Sequence, residues 1–219
     1  MVAESLISNE IIPLRTSDTG DEALSVMNDF YVRHLPIVNN RQFLGVISED
    51  DIFNHDVEEA IGSYFLSMTR PYVNGKDHIY DVMKVFAETN LTIVPVINRE
   101  NEYVGLITLE DLLNYFANLA SFAEPGSIIV LEVNRLDYSL AEISRIVESE
   151  NATILSAFVT SSQNSSMLEV TLKINRQNLQ QIIATFVRFN YSIKASFSES
   201  DYFDSLKDRY DSLMSYLNV

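Results

Sequence analysis

Gly45-Val46-Ile47-Ser48-Glu49-Asp50-Asp51-Ile52 lies over Gly105-Leu106-Ile107-Thr108-Leu109-Glu110-Asp111-Leu112 at an offset of 60 residues. Each stretch is a glycine, two apolar residues, a hydroxyl residue, and an aspartate three positions later that is followed by another apolar residue. Upstream, Leu35-Pro36-Ile37-Val38 matches Val94-Pro95-Val96-Ile97, and Asp18-Thr19 matches Asp77-His78, both at an offset of 59. One inserted residue therefore separates the two frames, and two copies of one unit occupy the first half of the chain.

Working outward, each copy is a polar turn, an amphipathic helix, a short strand around a proline, a turn, a second strand and another helix, a βαββα-like order. Ala23, Leu24, Met27, Phe30 and Tyr31 fall at helical spacing in the first copy, as do Val82, Met83 and Phe86 in the second. Leu35–Val38 and Ile93–Ile97 are continuously apolar and β-branched, the pattern of strands covered on both faces. Neither copy can hide that much apolar surface alone, so the two are expected to pack together.

Pro125-Gly126 breaks the chain after the second copy. Beyond it, a strand is expected over Ser127–Val133, a helix over Leu140–Ser149, a strand over Thr153–Thr160, a polar hairpin loop over 161–166, a strand over Leu168–Ile174, a helix over Leu179–Phe189 and a last strand over Ser192–Phe197. That order is βαββαβ. The tail places Tyr202, Phe203, Leu206, Tyr210, Leu213, Met214 and Leu217 on one stripe and predicts an amphipathic helix that docks on its own domain or on another subunit.

Composition excludes several function classes. Of 219 residues, 47% are hydrophobic and 21% charged, which describes a folded chain large enough for two domains. Fifteen Lys and Arg against 31 Asp and Glu give a formal charge of −16, which repels nucleic acid and anionic membrane surfaces. There is no cysteine, hence no disulfide, thiolate nucleophile or thiolate-bound zinc. No apolar run approaches the roughly twenty residues of a membrane span. Met1-Val2-Ala3-Glu4-Ser5 carries an acid where a secretory signal carries a base, so a cytoplasmic location is expected. The three histidines, His34, His55 and His78, do not fall at metal-pair spacing, and no metal site is expected. With six glycines there is no phosphate-loop, dinucleotide or nucleophile-elbow signature, and no catalytic residue is assigned.

The doubled Gly-apolar-apolar-Ser/Thr-x-x-Asp motif, with a proline strand upstream in each copy, resembles the cystathionine-β-synthase (CBS) domain, a module that occurs in tandem as a Bateman pair. The βαββαβ order of the second half resembles the ferredoxin-like ACT domain, although Asp137-Tyr138-Ser139 stands where that family carries glycine in the turn after its first strand. The whole order resembles acetoin-utilisation AcuB-type proteins. The expected fold is thus α/β (α+β): a CBS pair with copies at 1–62 and 63–124, an ACT-like domain at 127–197 and a C-terminal amphipathic helix at 198–219.

Ser48 and Thr108 stand where a strand gives way to a helix, with Asp51 and Asp111 three residues on. The hydroxyl and acid at that spacing make a reciprocal helix cap. The same geometry serves a nucleotide: free amides at a helix start and a hydroxyl suit phosphate, and a carboxylate suits a ribose diol. Both uses can coexist. By the CBS resemblance, Ser48, Asp51, Thr108 and Asp111 hold phosphate and ribose, and the strand starts His34-Leu35-Pro36 and Ile93-Val94-Pro95 frame the adenine. The implied ligand is AMP, ATP or another adenosine derivative. The nearby cations are Arg15, Arg33, Lys76 and Lys84, and the negative chain favours a monophosphate, a neutral derivative or a metal-escorted ligand. The resemblance implies a non-catalytic regulatory module, a homodimer and an unknown protein target; the alternative is a structural or interaction protein that keeps the fold without the ligand.

Overall fold

The element order opens with a 3-10 turn at Ala3–Leu6 and continues through α1 (Gly20–Asp29), β1 (His34–Asn39), β2 (Gln42–Ser48), α2 (Glu49–Phe53), β3 (Val73–Asn74), α3 (Ile79–Thr89), β4 (Ile93–Ile97), β5 (Tyr103–Thr108) and α4 (Leu109–Ala117). The second half holds α5 (Ala120–Ala123), β6 (Ser127–Asn134), α6 (Leu140–Ser149), β7 (Ile154–Thr160), β8 (Met167–Ile174), α7 (Gln180–Arg188) and β9 (Ser192–Phe197). This computed structural model describes residues 1–64, 70–161 and 166–198, with Met214 and Tyr216. The C-terminal helix expected over 198–219 lies outside the described residues except for Ser198, Met214 and Tyr216, as does 162–165 of the expected loop. Two compact units result, Met1–Phe116 and Ala117–Val219.

In the first unit the duplication is visible strand by strand. β1 pairs antiparallel with β2, and β4 with β5. The register slips between Ile37 and Val38 in one hairpin and between Val96 and Ile97 in the other, equivalent positions that face Gly45 and Gly105. The motif glycine therefore sits at a β-bulge in both copies. The inserted residue falls in the hairpin turns: Asn40 and Arg41 both take positive φ (47° and 75°) in the tight first turn, whereas the second is longer, with Asn101 at φ 58°. The leading strand of the order is β3, parallel to β4; its counterpart in the first copy is a single parallel bridge from Leu14 to Ile37.

Helix ends are set locally. Thr19 and Glu22 form a reciprocal cap on α1, and His78 and Asp81 do the same for α3, which Asn90 closes in the left-handed region. β4 is buried along its whole length. The core around β1 and β2 includes Leu91, Ile93, Ile97 and Leu106 from the second copy, so the copies share one apolar interior, each fully buried Ile or Leu contributing about 1.5–3 kcal/mol. The chain's first residues also belong to the second copy: the Ser8 amide donates to the Leu106 carbonyl at 2.8 Å, and a Cβ on Gly105 would lie 2.4 Å from Ile7 Cγ2.

The second unit is one four-stranded antiparallel sheet in the order β7-β8-β6-β9, with α6 and α7 joined to it in the sequence order βαββαβ. β6 and β8 bury every second side chain, and Ile129, Leu131, Val170 and Leu172 meet Ile143, Val147, Ile182 and Phe186 in one core. Gly126 precedes β6 because the chain passes against its partner strand there; a Cβ would lie 2.3 Å from the Ile174 carbonyl oxygen.

Candidate functional site

Both Ser/Thr–Asp pairs are closed capping boxes. The Ser48 amide and hydroxyl donate to Asp51 Oδ2 at 2.9 and 2.6 Å, and the Asp51 amide donates back to Ser48 Oγ at 3.1 Å. In the second copy the Thr108 amide and hydroxyl donate to Asp111 Oδ2 at 3.1 and 2.7 Å, and the Asp111 amide returns a bond to Thr108 Oγ1 at 2.9 Å. All four residues are half-buried. In each carboxylate Oδ2 takes both box donors, and the same box stands at the start of α2 and of α4.

The strand starts lie opposite the boxes, His34 paired with Ser48 and Ile93 with Thr108. The side chains of Leu35, Pro36, Ile93, Val94 and Pro95 are buried, Leu35 and Ile93 in the shared interior and Val94 in the core of the second copy. What these residues can offer a ligand is backbone. His34 alone of the six keeps a half-exposed side chain.

A residue the sequence reading passed over joins the two copies. Thr92, half-buried, is the counterpart of Arg33 at the offset of 59. Its Oγ1 accepts the Arg33 amide at 2.9 Å and stands 3.1 Å from His34 Nδ1, and its own amide donates to the same Nδ1 at 3.2 Å. The Thr92 carbonyl accepts the Leu109 amide at 3.1 Å, and the Arg33 carbonyl accepts the Glu49 amide at 2.9 Å. Glu49 and Leu109 directly follow the two boxes, so an unbroken run of hydrogen bonds leads from one box to the other through Arg33 and Thr92. The available signal was the offset itself, which lays Thr92 over the residue before His34.

Electrostatics at this junction are mixed. His34 titrates below its ordinary value, first because it is buried and then because of Arg33, while Asp51, Asp50 and Glu49 pull the other way. The Arg33 guanidinium is engaged by Glu49 at 3.1 Å and by Asp50 at 3.6 Å. A cleft of about 440 Å³ beside it is lined by Arg33, Glu49, Met27, Tyr31 and Phe53 among others. Of the other cations named from sequence, Lys84 pairs with Glu88 along its helix, and Lys76 borders a separate cleft of about 420 Å³ with Arg99.

In the second unit Ser139 caps α6 through the Glu142 amide at 3.3 Å. Asp137 lines a cleft of about 400 Å³ with Glu132, Glu142 and Tyr191. The Tyr191 hydroxyl donates to Glu142 at 2.9 Å, and burial together with that carboxylate pushes it up to about 12. Three carboxylates make this cleft repulsive to a carboxylate ligand.

The CBS domain family model matches residues 2–58 and 61–118. Inosine-5′-monophosphate dehydrogenase of Methanocaldococcus jannaschii is 25% identical over 114 residues, which are 51% of this chain and 23% of that enzyme. Homoserine O-acetyltransferase of Methanococcus vannielii is 24% identical over 119 residues, 52% of this chain and 24% of that enzyme. The chain thus spans about a quarter of the length of these curated relatives. Among solved structures, a CBS domain pair/ACT domain protein of Thermotoga maritima is 20% identical with a TM-score of 0.48, over 53% of this chain and 96% of that one. CBSX2, solved in complex with AMP, is 16% identical with a TM-score of 0.45, over 52% of this chain and 95% of that one.

Proposed function

The chain belongs to the CBS-domain family through residues 2–118, and from that premise we propose that its first unit binds an adenosine-containing ligand of the AMP or ATP type and acts as a non-catalytic regulatory module. The observation that carries this reading is the duplicated box: at two equivalent strand-to-helix junctions a hydroxyl, a carboxylate and the first amides of a helix stand together, and the two junctions are joined through Arg33 and Thr92. Each carboxylate keeps Oδ1 as an acceptor for a ribose diol, and a phosphate takes the hydroxyl and amide donors by displacing their bonds within the box. The net charge of −16 and the engagement of Arg33 by Glu49 and Asp50 favour a monophosphate, or a polyphosphate that brings a divalent cation. Two enzymes of unlike chemistry each share about half of this chain over about a quarter of their own length. That supports a module that regulates rather than one that catalyses.

On the same reading, the ACT-like second unit relays the bound state or assembles the protein, the chain forms a cytoplasmic homodimer, and an unidentified protein is its target. Ligand binding regulates only if it favours one arrangement of the copies over another, since differential affinity is what shifts an equilibrium.

A scaffold that retains the fold without ligand is the second reading, and one observation favours it: hydroxyl and carboxylate satisfy each other in both boxes, so both helices are capped with nothing bound. Thermal denaturation with AMP, ADP, ATP, S-adenosylmethionine and NADH separates the two. Saturable stabilisation by one of them, lost in Asp51→Ala or Asp111→Ala, supports the sensor; no shift with any at millimolar concentration refutes it.

A further inference from the structure

The junction between the copies departs from symmetry at several positions, and one of them puts a titratable ring opposite an aliphatic side chain. Where the second copy has Ile93, wholly buried, the first has His34, whose ring reaches across to Thr92, 58 residues away. The contacts of Nδ1 bear on the state of that ring. Thr92 Oγ1 already accepts the Arg33 amide, so its own hydrogen is free to point at His34 Nδ1; the Thr92 amide points at the same nitrogen. An Nδ1 without a proton accepts the Thr92 amide, so these contacts suit a neutral imidazole that holds its hydrogen on Nε2.

We infer that His34 and Thr92 form a positioning clasp between the two copies, in which the neutral imidazole holds the Ser48–Asp51 and Thr108–Asp111 boxes in one relative arrangement and protonation of the ring releases it. A proton on Nδ1 would face the Thr92 amide donor to donor. The hydroxyl can turn to accept, but the amide cannot, so at least one of the two cross-copy bonds is lost. Release is felt at both boxes because Thr92 receives Leu109, next to Thr108, and Arg33 receives Glu49, next to Ser48. The charged groups acting on the ring are Arg33 just before it and Glu49, Asp50 and Asp51 on α2, the first opposing a positive ring and the other three favouring one. The low titration of His34 accords with a ring that is buried and engaged as an acceptor. An anionic ligand between the boxes adds negative charge near the ring, so its binding would be linked to proton uptake at His34; this last step rests on the nucleotide reading above.

The test titrates the His34 ring nitrogens by NMR in the full chain, as wild type, Thr92→Val and Thr92→Ser, and measures AMP binding at pH 5.5 and pH 7.5 in wild type and His34→Gln. A ring protonated only on Nε2 at pH 7.5 in all three proteins, with a Thr92 amide signal that moves along the ring's titration, supports the clasp, because the amide is the donor that cannot turn and every variant keeps it. A proton on Nδ1 at pH 7.5, or a Thr92 amide signal that ignores the ring's titration, overturns it. If Thr92→Val does not fold, the wild-type tautomer and Thr92→Ser decide. Linkage to the ligand requires an AMP affinity that differs between the two pH values in wild type and not in His34→Gln; equal affinities in wild type overturn the linkage. AMP that binds at neither pH refutes the nucleotide reading, while the ring titration still decides the clasp.

Discussion

Replacing Asp51 or Asp111 by asparagine separates the cap from the ligand site. Oδ2 of Asp111 receives the Thr108 amide at 3.1 Å and the Thr108 hydroxyl at 2.7 Å, and a carboxamide oxygen placed there accepts both. What the cap loses is the negative charge at a helix start, about 0.3–1 kcal/mol, or a fall of about 5 °C at most in the melting temperature. On the other side of the same group the change is larger in kind. Oδ1, the oxygen left for a ribose diol, becomes an NH2, so an acceptor turns into a donor facing donors. A hydrogen bond to a charged group contributes about 1.5–3 kcal/mol, and its loss weakens nucleotide binding about 10- to 150-fold. Asp51→Asn makes the same exchange at the first box. Calorimetric titration with AMP, run beside melts without nucleotide, gives both quantities from one preparation. If affinity stays within about twofold of wild type in both variants while the melts show an intact fold, the carboxylates are helix caps and the sensor reading fails.

The pH dependence of stability follows from His34. Its folded value lies below 6.5, so between the two values the unfolded chain holds a proton that the folded chain does not; the contribution is fully present above pH 6.5 and is lost as pH falls from there through the folded value. Urea midpoints should therefore drop more steeply below pH 6.5 in wild type than in His34→Gln, and identical profiles would remove His34 from the explanation. In the second unit, Gly126→Ala sets a Cβ 2.3 Å from the Ile174 carbonyl oxygen, backbone that cannot swing aside. Overpacking of this sort costs about 1–3 kcal/mol, and amide exchange along β6 and β8 should accelerate while that of β1 and β4 does not; uniform exchange across both units would contradict the separate cores.

The fold was legible where one periodic signal met one kind of burial. Leu35–Val38 and Ile93–Ile97 read as covered strands because every residue is apolar, and the alternation over Leu168–Ile174 read as half-buried because every second residue faces the core. Helix ends were less legible. Asn90, Asn151 and Asn190 each take positive φ just after a helix, a conformation asparagine tolerates better than most residues, but a lone asparagine carries no period to betray it. Gly126 was read as punctuation, whereas its lack of a side chain is required by a strand that arrives from 48 residues downstream. Pairwise contacts of that range leave no trace in a window of local sequence.

The boxes themselves were readable because they are local: hydroxyl, three positions, carboxylate. Their duplication also limits what they can explain. Two copies of one cap treat a ligand alike, so any inequality between the two halves must come from positions where the copies differ. Around the junction those positions are Glu49 against Leu109, directly after the boxes, and, between the boxes, Arg33 against Thr92 and His34 against Ile93. Each exchange puts a titratable or charged side chain in the first copy opposite a neutral one in the second, and the last two pairs sit between the boxes rather than on the outer faces of the helices. Aligning the copies and reading the mismatches, rather than the matches, is therefore what leads to Thr92. The shared residues build the frame, and the unshared ones decide whether its two halves act as equals.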